Sequence, residues 1–175
     1  ILDEAGYLDS DGDGVREWSD GTPLEYRLMT DDSAMYARFA ELVQFDLSEI
    51  GISINVELLD SGALSDRRYG EPPWNFDLWY FSYGSDVDPD FPLITVLCSE
   101  RYPYGWNYSG YCSEEADANY YASATTIDHD ERVQVVHEAA ELINKDRPWI
   151  VLVYTNTIAA YRTDRFTGID RKSVV

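Results

Sequence analysis

Lysine is nearly missing from this sequence, Lys145 and Lys172 being the only two, and 13 basic residues face 33 acidic ones for a formal net charge of -20. A field of that sign repels phosphate backbones and anionic lipid headgroups, which excludes nucleic acid and membrane surfaces as natural partners. Histidine is equally scarce: His129 and His137 are the only two, and no GxSxG elbow accompanies them, so an activated serine would lack its base. HExxH and paired CxxC are missing, which argues against zinc. Neither a glycine-rich dinucleotide turn nor a phosphate loop occurs. No apolar run approaches the roughly 20 residues that span a bilayer, and no signal peptide, internal repeat or low-complexity tract is visible.

What is present suffices for one domain. At 175 residues a chain buries about two thirds of its unfolded surface on folding. The acidity serves solubility or adaptation to salt. Ile1 to Tyr7 reads as a helix end closed by Gly6, and with no Met ahead of Ile1 this predicts a piece excised from a longer protein. Leu24, Tyr26 and Leu28 alternate with Glu25 and Arg27, a strand. Asp31 or Asp32 can cap a helix in which Met35, Phe39, Leu42, Val43, Leu47 and Ile50 recur at helical spacing before Gly51. Ile52, Ile54, Val56 and Leu58 alternate again. Strand, helix and strand with short links predict a right-handed parallel crossover and an α/β fold. Residues 61–74 read as a short helix and a surface loop. Glu114 to Ala124 and a stretch capped by Asp128 or Asp130 read as helices, His137 being a partly buried structural residue of the second. The continuous apolar run Trp149 to Tyr154 predicts a strand inside the sheet.

Residues 9–20, DSDGDGVREWSD, can be counted as a calcium loop. Asp9, Asp11 and Asp13 fall at positions 1, 3 and 5, Gly14 at the bend, the Val15 carbonyl at 7, Glu17 at 9 and Asp20 at 12. Ca²⁺ takes six to eight hard oxygens, and alternate residues aim inward. Arg16 stands where an apolar anchor is usual, and position 12 is the shorter Asp. A structural Ca²⁺ site and a solvated acidic turn are both compatible with this pattern, and no other cofactor is implied.

Phe76 to Tyr83 is apolar at nearly every position and predicts a central strand buried on both faces. Gly84 and Ser85 then open a loop with Asp86, Asp88 and Asp90 around Pro89, which stops regular structure. In an open α/β sheet, ligands are met beyond the carboxyl ends of the strands. Carboxylates beneath Trp79, Tyr80, Phe81 and Tyr83 suit a ligand with a cationic head and an apolar or planar body. Tyr102, Tyr104, Trp106, Tyr108 and Tyr111 crowd the segment between Cys98 and Cys112, where they line a pocket or bury themselves. Asn107, Tyr108 and Ser109 form a glycosylation sequon to which no role is assigned. The two cysteines are either bonded or buried and free.

YGSDVDPDFPLITVLCS at 83–99, GWNYSGYCSEEAD at 105–117 and DRPWIVLVY at 146–154, with the opening ILDEAGY, resemble the carboxy-terminal lobe of the dipeptide- and oligopeptide-binding proteins (solute-binding family 5) that feed ABC importers. The likeness spans almost the whole chain. It implies a type II periplasmic-binding-protein lobe, a mixed, mostly parallel sheet flanked by helices, with residues 1–175 forming one lobe of two. It implies a Cys98–Cys112 disulfide and an extracytoplasmic location, periplasmic or lipid-anchored at the cell surface. It further implies a monomer that captures a peptide or other small solute and delivers it to permease subunits. Family members hold the peptide amine with an aspartate four residues before the proline. Here that place is Ser85, with Asp86 one later, so Asp86 and Asp88 are both candidates. Some relatives take sugars, for which Trp79, Tyr83 and Trp106 would serve as stacking platforms. A glycoside-acting enzyme with Asp86 and Asp88 as its carboxylate pair, or a carbohydrate-binding module, is the alternative.

Overall fold

The computed structural model describes residues 1–70, 74–82, 84, 88–101, 105–154 and 160–167. Its first unit is the expected crossover. Strand β1 (Glu25–Asp31) leads through helix α1 (Ala34–Ser48) to strand β2 (Ser53–Leu59), which lies parallel to β1 in a register pairing Leu28 with Val56. Glycine at 51 is required, since the turn out of α1 has φ +80 and a Cβ there would lie 2.8 Å from Arg16 Cγ. Leu28, Ala40 and Ile54 form the buried centre, with Tyr26, Val43, Leu47, Ile52, Val56 and Tyr80 packed around it.

The opening residues make one helical turn closed as expected. Gly6 has φ +89, its N–H donates to the Asp3 carbonyl at 3.1 Å, and the Tyr7 N–H reaches Leu2 at 3.1 Å, the reciprocal pair of a glycine-terminated helix end. Helix α2 (Ser61–Arg68) starts at Asp60, whose carboxylate accepts from the N–H groups of Gly62 and Ala63.

The sheet differs from the sequence expectation in two places. Its order is β2-β1-β3, so the central strand is β1, where Leu28, Met29 and Thr30 are buried in succession. Among the described residues, the Phe76–Tyr83 run supplies only the two-residue strand β3 (Leu78–Trp79), at the end of the sheet. Flanking bonds lengthen its hold on β1: Asp77 N–H to Arg27 O at 3.0 Å, and Tyr80 N–H to Met29 O at 3.1 Å. Continuous apolarity signals burial but cannot by itself say which strand has neighbours on both edges. Trp149 to Tyr154 forms no strand either. Ile150 and Tyr154 are 76% and 89% exposed, and the run borders a groove of about 500 Å³ with Pro92, Leu93, Val136, Ala140 and Ile143. No described strand pairs with it, and strand structure requires a partner.

The helical layer follows. Helix α3 (Asp90–Ile94) and the turn after it bury Leu93, Val96 and Leu97. Helices α4 (Glu114–Thr125) and α5 (His129–Asp146) pack as an antiparallel pair, with α3 against α4. The Ser113 hydroxyl caps α4 and the Asp128 carboxylate caps α5. The Cys98–Cys112 disulfide closes the aromatic segment onto the start of α4, and the Cys98 N–H donates to Asp117 at 3.0 Å. Breaking it by Cys98→Ser with Cys112→Ser is expected to cost about 3 kcal/mol of stability in urea unfolding; an unchanged unfolding midpoint would contradict that.

Candidate functional site

Two regions carry the functional groups. The first lies where β3 ends. The Trp79 ring stacks on Phe81 at 4.0 Å and 18°, and the edge of Tyr108 meets it at 5.2 Å. Arg68, the last residue of α2, inserts its guanidinium among these rings, 4.2 Å from Tyr69, 5.0 Å from Tyr108 and 5.4 Å from Trp79. Tyr69 and Tyr108 share a hydroxyl hydrogen bond of 3.2 Å. Burial, reinforced by that bond, pushes the Tyr108 hydroxyl up to about 12. Arg68 Nε and Trp79 Nε1 are buried with no acceptor among the described residues. Nothing in the sequence pattern marked Arg68: the cage joins residues from α2, β3 and the disulfide loop, which share no local spacing.

The loop beyond β3 is held at both ends. Upstream, Thr30 Oγ1 donates to the Tyr80 carbonyl at 2.8 Å, and the Tyr36 and Ser82 hydroxyls lie 2.7 Å apart. Downstream, Asp88 accepts Arg132 Nη2 at 3.0 Å and the Asp90 N–H at 3.0 Å. Arg132 first, and then the Asp90 N–H, hold the Asp88 carboxyl below the usual aspartate range. Trp106 is half-exposed and meets Phe91 edge-on at 5.8 Å. Tyr83 and Asp86 lie outside the described residues. Thus Trp79 sits within the Arg68 cage, while Asp88 and Trp106 attach to the α3 side. Asn107 of the sequon is 1% exposed. Its amide donates to Leu97 O at 2.9 Å and Tyr111 O at 2.7 Å, so it closes the disulfide loop and is closed to a glycan.

The second region is the acidic loop ahead of β1. Asp9, Asp11, Asp13 and Glu17 each bring one carboxylate oxygen within 4.8 Å of the others. Backbone donors shape the loop: Gly12 and Gly14 N–H groups reach Asp9 at 2.8 and 3.0 Å, and Val15 N–H reaches Asp13 at 2.7 Å. Gly14 has φ +95, which the sharp bend requires. Glu17 is buried and accepts the Ser10 N–H at 2.7 Å. Asp20 is not one of the four; its carboxylate takes the Thr22 N–H at 2.9 Å. Arg16 anchors the loop by polar means, donating to Asp3, to the Tyr7 carbonyl and to the Ile50 carbonyl, while its backbone N–H reaches Gly51 O at 2.8 Å. Hard oxygens at this separation fit Ca²⁺ chemistry.

Residues 1–103 match the family model described as bacterial extracellular solute-binding proteins, family 5 Middle. The chain is 27% identical over 157 residues to the oligopeptide-binding protein AppA of Bacillus subtilis, covering 89% of this chain and 28% of that protein. It is 24% identical over 165 residues to the glutathione-binding protein GsiB of Salmonella typhi, covering 92% of this chain and 30% of that protein. The AppA structure, in complex with a nonapeptide, superposes with a TM-score of 0.72 at 26% identity, over 84% of this chain and 29% of that one. An oligopeptide-binding protein from Thermotoga maritima, bound to mannohexaose, shares the fold at TM-score 0.71 and 22% identity, over 84% of this chain and 28% of that one. The chain therefore has the type II periplasmic-binding-protein fold and spans less than a third of the length of these relatives.

Tyr108 yields a pH prediction. Its raised pKa favours the neutral hydroxyl in the folded state, so its contribution is complete below about pH 10 and is lost as pH rises toward about 12. Tyr108→Phe should shallow the alkaline fall of unfolding free energy across that window; an identical slope in variant and wild type would contradict the assignment.

Proposed function

Because the chain belongs to the bacterial extracellular solute-binding proteins of family 5, we propose that it is one lobe of the substrate-binding component of an ABC importer. Its solute would be a peptide or a related small amine-bearing molecule. The observation that carries this reading is the placement of the loop leading to Asp88 and Pro89 beyond the carboxyl end of β3 in a parallel sheet, where α/β lobes meet ligands. Asp88 already has the Arg132 guanidinium and the Asp90 N–H as partners, so Asp86 is the carboxylate we assign to the ligand ammonium. A charge-assisted bond of that kind contributes about 1.5 to 3 kcal/mol. The rest of the affinity must come from enclosure.

The solute would be trapped between this lobe and a second one by hinge closure, and the closed form presented to permease subunits in the membrane. Among the described residues no helix is long and apolar enough to cross a membrane. The disulfide supports an extracytoplasmic location. We take the working form to be a monomer. A sugar is the less favoured solute, because Trp79 already stacks one face on Phe81 and meets Tyr108 and Arg68. Catalysis by the Asp86 and Asp88 pair is disfavoured as well: a glycosidase acid needs a raised pKa, and Arg132 lowers that of Asp88.

The acidic loop we assign to a structural Ca²⁺, held by Asp9, Asp11, Asp13 and Glu17, with the Val15 carbonyl completing the set. The four converging carboxylate oxygens support it. Asp20 would serve the turn to Thr22 instead. Saturating Ca²⁺ at about 100 times its Kd should add about 2.7 kcal/mol of stability; a melting temperature equal in Ca²⁺ and in chelator would dispose of the site. The transport reading is tested by titrating trialanine and glutathione into the 175-residue chain and into the full-length polypeptide that carries it. The long form should bind at least one measurably and the short form weakly or not at all. Equal affinity for both forms would contradict the two-lobe arrangement.

A further inference from the structure

The five residues after Trp149 are apolar and open to solvent together. Ile150 and Tyr154 stand out furthest, and Val151, Leu152 and Val153 between them are 57%, 48% and 46% exposed. An extended chain turns successive side chains to opposite faces, so a strand resting one face on the domain would show alternating exposure. This run shows no such alternation, and both of its faces are open. Its start is nevertheless fixed. Helix α5 ends at Arg147 in the left-handed region, φ +52, with the Arg147 N–H on the Ile143 carbonyl at 2.8 Å, and Pro148 stops the helix there. Trp149, half-buried, then lines the groove with Leu93, Val136 and Ala140.

We propose that residues 149–154 are a docking strand for the remainder of the full-length polypeptide, which supplies a strand edge beside them and apolar cover on both faces. This rests on the reading of the chain as one lobe of a longer family 5 protein. The stretch matched here is 28% of AppA and 30% of GsiB, so most of a polypeptide of that length lies outside it. The chemistry selects a strand as the occupant. Extended backbone needs N–H and C=O partners from a neighbouring edge once it is buried, and a run of Ile, Val and Leu between aromatic residues suits the interior of a sheet. No charge falls between Arg147 and Arg162 in a chain of 13 basic and 33 acidic residues, so the partner meets no ion there that would have to be desolvated. A second copy of this chain is less suited to the place: each carries a formal net charge of -20, and two such fields repel.

The test follows amide hydrogen exchange at Val151, Leu152 and Val153 in the full-length polypeptide and in the 175-residue chain, and compares Val151→Asp with Val151→Thr in both. In the full-length polypeptide the three amides should exchange at least about 100-fold more slowly than in the short chain. Val151→Asp should lower the melting temperature of the long form by about 5 °C or prevent its folding, with Val151→Thr intermediate. The short form should melt as wild type with either substitution, because the position is exposed there. Equal exchange in the two forms would overturn the proposal, as would equal melting shifts. Protection of the three amides in the short chain that grows with concentration, alongside a dimer mass, would give the strand to a second copy and overturn it as well. No solute enters these measurements. Should the full-length polypeptide bind neither trialanine nor glutathione, the transport reading fails, while slow exchange at the three amides still upholds the docking strand.

Discussion

The parallel pairing of β1 with β2 governs the rest of the molecule. Seven residues of each strand are in register, and α1 closes the unit from one side with Ala40, fully buried, against Leu28 and Ile54. Parallel strands need such a crossover, and its hand is fixed by the twist of the strands. Once β1 is placed, β3 can only add on its free side. Two residues then suffice to direct the chain out of the sheet's carboxyl edge, because Thr30 and Tyr36 grip the segment immediately after it. The sheet thus sets where the chain leaves β3, and the Asp88–Arg132 pair holds it again downstream.

Cations organise this very acidic chain. Arg16 ties the calcium-type loop to the opening turn and to the α1–β2 turn. Arg27 pairs with Asp77 ahead of β3, and Arg67 with Glu57 between α2 and β2. Arg132 joins the loop to the helical layer. Exposed ion pairs contribute little one at a time, yet each of these joins two different segments of the fold, so their role is to set orientation. Arg68 is different in kind: its partners among the described residues are aromatic faces.

Periodic features were legible in the sequence. The β1-α1-β2 crossover and α5 stand where spacing put them, and α2 and α4 fall within the stretches read as helical, with Asp128 capping as expected and Ser33 rather than Asp31 or Asp32 at the head of α1. The resemblance implied the disulfide, and the chain has it. The alternation of Asp9, Asp11 and Asp13 pointed to the oxygen cluster, whereas Asp20 fits the count but turns to Thr22. Apolarity misled at Phe76 to Tyr83 and at Trp149 to Tyr154, because it reports the wish for burial and carries no information about which edge is available. The contacts of Arg16, Arg68 and Arg132 were invisible for a related reason: pairing across tens of residues leaves no local pattern, and one arginine looks like another until its neighbours are known.

The proposed reading makes Asp86 the partner of a solute amine. Mass spectrometry of what copurifies with the full-length polypeptide, with and without Asp86→Asn, addresses it most directly. The account predicts a peptide or other amine on the wild type that is lost from the variant. A solute without an amine, or one retained equally by both proteins, would contradict it.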